Sequence, residues 1–164
     1  MSRLVERYET VKELLPAKDE QEVKIAEMYV YPLRSVRAGP VDELEVGRYG
    51  IKYDREIVLA EAASKKIVKC NLHHPMACLS QVLRGSKVEI STSRPELLSA
   101  QGLPAKLTLD MDVDAEAELG AYVELHRNQS KDQFGGYTYP EDVCRWFSVA
   151  IGKEVIAVKA ALKR

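Results

Sequence analysis

Two short segments of the chain carry arginine and hydroxyl side chains suited to binding an anion. Arg34 and Ser35 follow an apolar segment, so they are predicted to lie in a turn at a strand end. Arg55 shares strand parity with Ile57 and Leu59, which predicts that it points into the fold or toward its rim. A guanidinium keeps its proton and binds phosphate or carboxylate through two parallel hydrogen bonds. We therefore predict an anion site at these three residues.

An ordinary ion pair is the competing interpretation of the same residues. Asp54 and Glu56 flank Arg55 in the sequence, and either carboxylate is able to neutralise Arg34 or Arg55. In that case the arginines contribute to the surface of the domain and bind no ligand.

Two cysteines and two histidines within nine residues have the side-chain chemistry of a zinc site. Cys70, His73, His74 and Cys78 supply the thiolate and imidazole groups that tetrahedral zinc uses. Their spacing argues against that assignment, because adjacent histidines rarely reach one ion and the usual paired cysteine and histidine units are missing. Buried cysteines beside a histidine pair at the rim are the alternative. We predict no metal site in this segment.

The charge balance argues against nucleic acid or an anionic membrane as the main partner. Lys plus Arg is 24 and Asp plus Glu is 25, so the net charge is −1. Basic residues and tyrosines are nevertheless concentrated in one third of the chain, where they would suit single-stranded nucleic acid. Acidic residues between them favour a mixed, solvated surface instead. The basic residues are Arg34, Arg37, Arg48, Lys52, Arg55, Lys65, Lys66 and Lys69.

Short strand-like segments separated by turn residues predict a mainly β fold, namely a small β-barrel. These strands are expected to position the side chains described above. The candidate strands cover residues 23–31, 42–46, 54–60, 66–69, 87–91, 106–110, 121–126 and 154–159. One late amphipathic helix interrupts the series, with Trp146 as its predicted anchor in the core. Thr138 and Glu141 have the spacing of a capping box, and Gly152 stands where a C-terminal cap belongs.

A first amphipathic segment lies outside this pattern. Residues 3–15 place five apolar side chains on one helical face and precede a helix-ending proline. We therefore predict an N-terminal helix and linker over residues 1–22, and a β-barrel domain over residues 23–164. The helix is expected to pack on the domain or to bind a partner. Its apolar residues are Leu4, Val5, Tyr8, Val11 and Leu15.

Cysteine usage and hydropathy indicate an intracellular protein, cytoplasmic or mitochondrial. Three cysteines are few and odd in number, which disfavours a secreted disulfide framework. No window of roughly 18 uncharged apolar residues predicts a membrane span, and no signal-peptide pattern is present.

Three further segments carry a longer pattern. Residues 31–39 read Tyr-Pro-Leu-Arg-Ser-Val-Arg-Ala-Gly, residues 49–55 read Tyr-Gly-Ile-Lys-Tyr-Asp-Arg, and residues 146–155 read Trp-Phe-Ser-Val-Ala-Ile-Gly-Lys-Glu-Val. In this order they resemble the N-terminal β-barrel domain of the MOSC family, which includes the mitochondrial amidoxime-reducing component and related molybdenum-cofactor proteins. The resemblance runs over residues 23–158 and implies a compact β-barrel with a late helix.

The resemblance also implies a ligand. In that family a Lys-Ser pair and the arginine of Tyr-Asp-Arg contact the phosphorylated pterin of the molybdenum cofactor, molybdopterin. By position Arg34 replaces the lysine, and Ser35 and Arg55 match directly. The sequence departs from the family pattern at two other places: Val36 stands where the family often has cysteine, and Asn71 or Leu72 replaces an arginine.

The resemblance places the catalytic chemistry in a second domain. The MOSC domain follows the barrel in that family and supplies a cysteine thiolate to molybdenum, and none of the three cysteines here matches it. We therefore expect no catalytic residue in this chain and no cofactor bound by it alone. The expected function is a non-catalytic binding or accessory module for an anionic ligand or a partner protein. The alternative is the molybdenum-cofactor-gripping half of a MOSC-type oxidoreductase that needs the MOSC domain as partner.

Overall fold

The computed structural model describes residues 24–48, 50–126 and 134–161, so the predicted N-terminal helix and linker lie outside the described residues. The described part is mainly β, as predicted. Three α-helices accompany the strands, α1 (Pro95–Ser99), α2 (Ala115–Glu118) and α3 (Glu141–Ile151), together with a 3-10 helix over His74–Cys78. The strands are β1 (Met28–Tyr29), β2 (Arg37–Ala38), β3 (Pro40–Val41), β4 (Val46–Gly47), β5 (Gly50–Ile51), β6 (Ile57–Glu61), β7 (Leu79–Arg84), β8 (Lys87–Thr92), β9 (Lys106–Asp110), β10 (Tyr122–Leu125), β11 (Phe134–Thr138) and β12 (Val155–Ala160).

The strands of the described residues pair into four sheets. Two four-stranded sheets, ordered β10-β11-β12-β6 and β2-β7-β8-β9, form most of the domain, and β1-β3 and β4-β5 form two-stranded ribbons. Strands β2 and β7 run parallel, whereas the other paired strands are antiparallel. Among the described residues no ladder joins the two outer strands of a sheet. The mainly β class is therefore confirmed, but a closed barrel is not found.

The paired strands β6 and β12 are buried on both faces, because apolar clusters lie on each side of their sheet. Ile57 and Leu59 belong to the larger cluster, which includes the buried face of α3. Val58 and Val158 belong to a smaller cluster on the other side. The side chains of residues 57–60 in β6 are therefore all buried, whereas in a sheet with one solvated face successive side chains alternate between buried and exposed positions.

Strand prediction succeeded for several elements and failed at others. Of the strand predicted over residues 23–31, the described part contains only Met28–Tyr29 as a strand. Residues 42–45 form no strand, and residues 66–69 make only isolated bridges at Lys66 and Ile67. Strands β7 and β11 were not predicted. Strand β7 has Gln81 at a buried position, and β11 contains two adjacent glycines. A Cβ atom on Gly136 of β11 would meet the carbonyl oxygen of Lys159, so this close approach of β12 requires glycine.

Helix α3 has the predicted buried face and ends at the predicted Gly152. Trp146 is fully buried, and its indole Nε1 donates to the carbonyl oxygen of Pro104 at 2.8 Å. The capping box predicted for this helix is wrong. Thr138 lies in β11, its hydroxyl donates to the carbonyl oxygen of Ala121 at 3.2 Å, and Pro140 occupies the N-cap.

Gly152 ends α3 in the left-handed conformation, with φ of 65°. An alanine there keeps the same contacts but strains the backbone, so we expect Gly152→Ala to lower the free energy of unfolding by about 1 kcal/mol. Urea denaturation followed by circular dichroism measures the change. Gly39→Ala is the matched control, because Gly39 has ordinary backbone angles and room for a Cβ atom. An equal loss in both variants would contradict the expectation.

Candidate functional site

Two turns, residues 31–36 and 53–56, lie side by side, and we call them the two-turn junction. They carry the predicted anion-binding residues Arg34, Ser35 and Arg55 on adjacent segments. A parallel bridge between Leu33 and Ile57 continues the junction into β6. Three main-chain hydrogen bonds hold the segments together: Arg34 N to Ile57 O at 3.0 Å, Ile57 N to Pro32 O at 2.9 Å, and Arg55 N to Tyr31 O at 2.8 Å.

Three residues of the junction adopt the left-handed backbone conformation although none is glycine. The φ angle is 64° at Ser35, 66° at Tyr53 and 58° at Arg55. Each such residue costs roughly 1–2 kcal/mol, so the surrounding contacts must impose the conformation. Strained residues of this kind cluster at functional sites, and a sequence search for glycine does not find them.

Buried Gln81 of β7 fixes the first turn of the junction. Its side chain is 1% exposed, and its Oε1 accepts a hydrogen bond from Leu33 N at 2.7 Å. Its Nε2 donates to Leu33 O at 2.9 Å and to Val36 O at 3.0 Å. One side chain thereby satisfies three main-chain groups on either side of Arg34 and Ser35. The sequence analysis missed this residue, although a glutamine at the alternate position between Leu79 and Leu83 was the available signal.

Asp54 links the two turns and neutralises Arg55. Its Oδ1 accepts from Tyr31 N at 3.1 Å, and its Oδ2 accepts from Arg55 Nη1 at 2.5 Å. The Arg55 side chain is 62% exposed, so of the two predicted directions, into the fold or toward its rim, the first is excluded. The left-handed conformation of Arg55 breaks the alternation before β6 begins at Ile57. The ion pair that the sequence left open is therefore present at Arg55.

Glu56, the other carboxylate beside Arg55, turns inward and pairs with Lys159 of β12. Glu56 Oε2 and Lys159 Nζ are 2.8 Å apart, and their side chains are only 14% and 8% exposed. Lys159 Nζ also donates to the carbonyl oxygen of Met111 at 2.7 Å, and Glu56 Oε1 accepts from Tyr53 N at 2.9 Å. This pair anchors the second turn to β12, and the sequence analysis missed it.

A tyrosine hydroxyl belongs to the same buried polar region. Tyr139 Oη is buried and has no hydrogen-bond partner among the described residues. Burial, reinforced by the negative charges of Glu56 and Asp110, raises the pKa of this phenol. Tyr139 is therefore a neutral phenol at physiological pH.

Two aromatic rings border the exposed side of the junction. The rings of Tyr29 and Tyr31 stack at 6.5 Å between centroids with 28° between their planes, and both are partly exposed. A hydrogen bond to Glu27 raises the pKa of the Tyr29 hydroxyl. The arrangement places a flat apolar surface beside the arginine-bearing turns.

The residues weighed as zinc ligands do not come together as a metal site. His73 Nε2 lies 2.9 Å from the carbonyl oxygen of Ile151, which links the segment before the 3-10 helix to the end of α3. His74 is exposed, Cys70 packs against the larger core, and Cys78 is partly buried. In the described ranges, no group of three or more His, Cys, Asp or Glu side chains is arranged to hold a metal ion.

Several residues of the predicted basic cluster already have partners. Lys52 Nζ lies 3.3 Å from Glu45 Oε2 and 3.8 Å from Asp112 Oδ1, and it also stands 4.7 Å from the centre of the Tyr53 ring. Its contacts with Tyr53 and Glu45 raise the pKa of Lys52. Together with the Arg55–Asp54 pair, these contacts fit a mixed, solvated surface.

A cleft of about 1080 Å³ opens beside the second turn. Tyr53 belongs both to the junction and to the cleft wall, and its hydroxyl donates to Asp112 Oδ1 at 2.7 Å. Burial, followed by that hydrogen bond, raises the pKa of the Tyr53 phenol. The rest of the lining combines apolar with charged side chains: Val30, Pro40, Val41, Leu44, Val82, Leu83, Gly85, Asp42, Glu43, Glu45, Lys52 and Arg84.

Comparison with known proteins yields a distant structural likeness. No protein-family model matches the sequence, and no curated protein matches it. A structural genomics target from Bordetella bronchiseptica, known from its solution structure, is 15% identical to this chain. The match covers 72% of this chain and 90% of that chain, with 15% identity and a TM-score of 0.45. A likeness of this size supports no functional statement. Among the described residues, no helix is long and apolar enough to cross a membrane.

Proposed function

We propose that the chain is a non-catalytic binding module that recognises an anionic group, on a small ligand or a partner protein, at the two-turn junction. One observation carries the proposal: Arg34, Ser35 and Arg55 stand on two strained turns that main-chain hydrogen bonds and buried Gln81 hold together. Binding residues on a rigid support lose little entropy when a ligand arrives.

The donor chemistry of the junction suits phosphate or carboxylate. A guanidinium has five N–H donors in a planar fork, and Arg55 uses one terminal nitrogen for Asp54. The exposed side of Arg55 and the exposed hydroxyl of Ser35 are therefore accessible to an incoming oxyanion. Asp54 positions Arg55 but repels that anion, so we expect weak, salt-sensitive binding.

Charge-removing substitutions test the proposal. We expect Arg34→Gln and Arg55→Gln each to weaken binding of inorganic phosphate or pyrophosphate about tenfold, because each removes charge-assisted hydrogen bonds. NMR titration at fixed ionic strength measures the dissociation constants. Arg145→Gln is the matched control, because Arg145 is an exposed arginine on α3, outside the junction. Equal affinity in all three variants would falsify the assignment of the site.

Removal of the negative charge of Asp54 is expected to strengthen anion binding. Asp54→Asn keeps an oxygen that accepts from Tyr31 N but removes the negative charge beside Arg55. We therefore expect phosphate and pyrophosphate to bind severalfold more tightly, by loss of like-charge repulsion. The same titration measures the change, with Asp42→Asn as the control for removal of an exposed carboxylate. Unchanged or weaker binding in Asp54→Asn would contradict this expectation.

The alternative proposal is the molybdenum-cofactor-gripping part of a MOSC-type oxidoreductase. The placement of Arg34, Ser35 and Arg55 on adjacent turns supports it, since two guanidinium groups and a hydroxyl fit the phosphate of a pterin. Bound molybdopterin would supply the redox chemistry, with the metal ligand on a MOSC domain. Competition between a phosphorylated pterin and inorganic phosphate separates the two proposals. Preferential pterin binding that is lost in Arg55→Gln would favour the alternative.

A further inference from the structure

We infer that the stacked rings of Tyr29 and Tyr31 are a subsite for the base of a nucleoside monophosphate whose phosphate binds at the two-turn junction. The inference rests on the proposed function, because the phosphate is the anionic group that the junction recognises. It adds the class of ligand: a flat heteroaromatic base joined to a phosphate through a sugar.

The two rings form one aromatic surface on the outside of the domain. Val30, between the two tyrosines, is 4% exposed, whereas Tyr29 and Tyr31 are 38% and 37% exposed, so both tyrosines leave the outer face of the segment. Their centroid distance of 6.5 Å and interplanar angle of 28° are those of an offset stack. Every nucleobase has a π face that stacks on such a ring, whatever its sequence of donors and acceptors.

Tyr31 is fixed directly to the second turn of the junction. Arg55 N donates to Tyr31 O at 2.8 Å, and Asp54 Oδ1 accepts from Tyr31 N at 3.1 Å. The other oxygen of the same carboxylate accepts from Arg55 Nη1, so one carboxylate group separates the Arg55 guanidinium from the Tyr31 main chain. In a nucleoside monophosphate one ribose separates the base from the phosphate. A single ligand of this class therefore reaches both the ring and the guanidinium.

The two ends of the aromatic surface differ in charge. At the Tyr29 end, the hydroxyl donates to the Glu27 carboxylate; this hydrogen bond raises the pKa of Tyr29, and the positive charge of Arg37 opposes that shift. The Tyr31 end adjoins the turn that carries Arg55, whose side chain is 62% exposed. Because Glu27 repels a phosphate from the Tyr29 end, the charges favour a ligand whose base lies on the rings and whose phosphate lies toward Arg55.

Joining two weak contacts in one ligand raises its affinity. The phosphate alone binds weakly, because Asp54 stands beside Arg55. The base adds its stacking contact without a second loss of translational and rotational freedom. Stacking of one base is therefore expected to tighten binding about tenfold.

NMR titration of the full chain at fixed ionic strength compares adenosine 5′-monophosphate with ribose 5-phosphate. These two probes share the phosphate and the sugar and differ in the base. We expect adenosine 5′-monophosphate to bind about tenfold more tightly and to shift the ring resonances of Tyr29 and Tyr31. Ribose 5-phosphate is expected to bind without moving these resonances.

Variants at Tyr31 test whether the ring provides the added affinity. Tyr31→Leu should remove the tenfold advantage and leave the affinity for ribose 5-phosphate unchanged, because the hydrogen bonds from this residue to the second turn are made by its main chain. Tyr31→Phe keeps a ring and should keep the advantage. Tyr122→Leu is the matched control, because Tyr122 is an exposed tyrosine on β10 that contacts another ring, Tyr137. An unshifted indole N–H resonance of Trp146, which donates to Pro104 O, verifies that each variant is folded.

The outcomes separate the base subsite from the anion site. Equal affinities for the two phosphates in the wild-type chain would overturn the base subsite and leave the anion site in place. An advantage for adenosine 5′-monophosphate that survives in Tyr31→Leu, or that Tyr122→Leu removes equally, would also overturn it. Absence of binding by both phosphates would refute the proposed function itself, and the base subsite with it.

Discussion

Replacing Gln81 with leucine is expected to lower the free energy of unfolding by roughly 3–6 kcal/mol. Leucine is similar in size but has no polar atoms, so Leu33 N, Leu33 O and Val36 O lose their side-chain partner inside the protein. Each unsatisfied buried group costs about 1–3 kcal/mol. Urea denaturation followed by circular dichroism measures the loss.

A second readout separates stability from binding. The first turn holds Arg34 and Ser35 between the groups that Gln81 contacts, so phosphate affinity should fall in the fraction of Gln81→Leu that remains folded. Ser80→Ala is the control in the same strand, because the Ser80 hydroxyl bonds the hydroxyl of Ser91, at 2.9 Å, and its loss should cost about 1 kcal/mol. A loss in Gln81→Leu no larger than in Ser80→Ala would mean that the turn does not depend on this side chain.

Breaking the Glu56–Lys159 pair is expected to have an effect of similar size. Lys159→Met leaves the Glu56 carboxylate largely buried without its cation, and removal of one partner from such a pair costs about 3–5 kcal/mol. Glu56→Gln combined with Lys159→Met removes both charges and keeps an oxygen for Tyr53 N. We expect the double variant to recover most of the loss, because neither remaining group is charged.

An exposed pair provides the comparison for this prediction. Lys153 Nζ and Glu61 Oε1 are 2.7 Å apart, but both side chains are about one-third exposed. Lys153→Met should therefore cost about 1 kcal/mol or less. Chemical denaturation measures the free energy of unfolding of the three variants. A Lys159→Met variant as stable as Lys153→Met would contradict the buried-pair argument. A double variant no more stable than Lys159→Met would also contradict it.

Local patterns in the sequence were sufficient for the fold class and for the elements with clear periodicity. Strands β8, β9 and β12 fall within one residue of their predicted positions, and α3 has its predicted buried face, with Trp146 as its anchor and Gly152 as its left-handed end. These features depend on neighbours a few positions apart, which is the range over which alternation, helical spacing and capping act. The turn that carries Arg34 and Ser35 was predicted on the same basis.

The sequence by itself therefore determined a mainly β domain, its late helix and the residue types available to bind an anion. Only the tertiary structure decided how those residues are used. Gln81 holds a turn 48 positions away, and Glu56 pairs with a lysine 103 positions away. The outward turn of Arg55 follows from a left-handed backbone at a non-glycine residue, which distant contacts impose. Interactions between residues so far apart leave no periodic pattern along the chain, and that is the physical reason they could not be predicted from it.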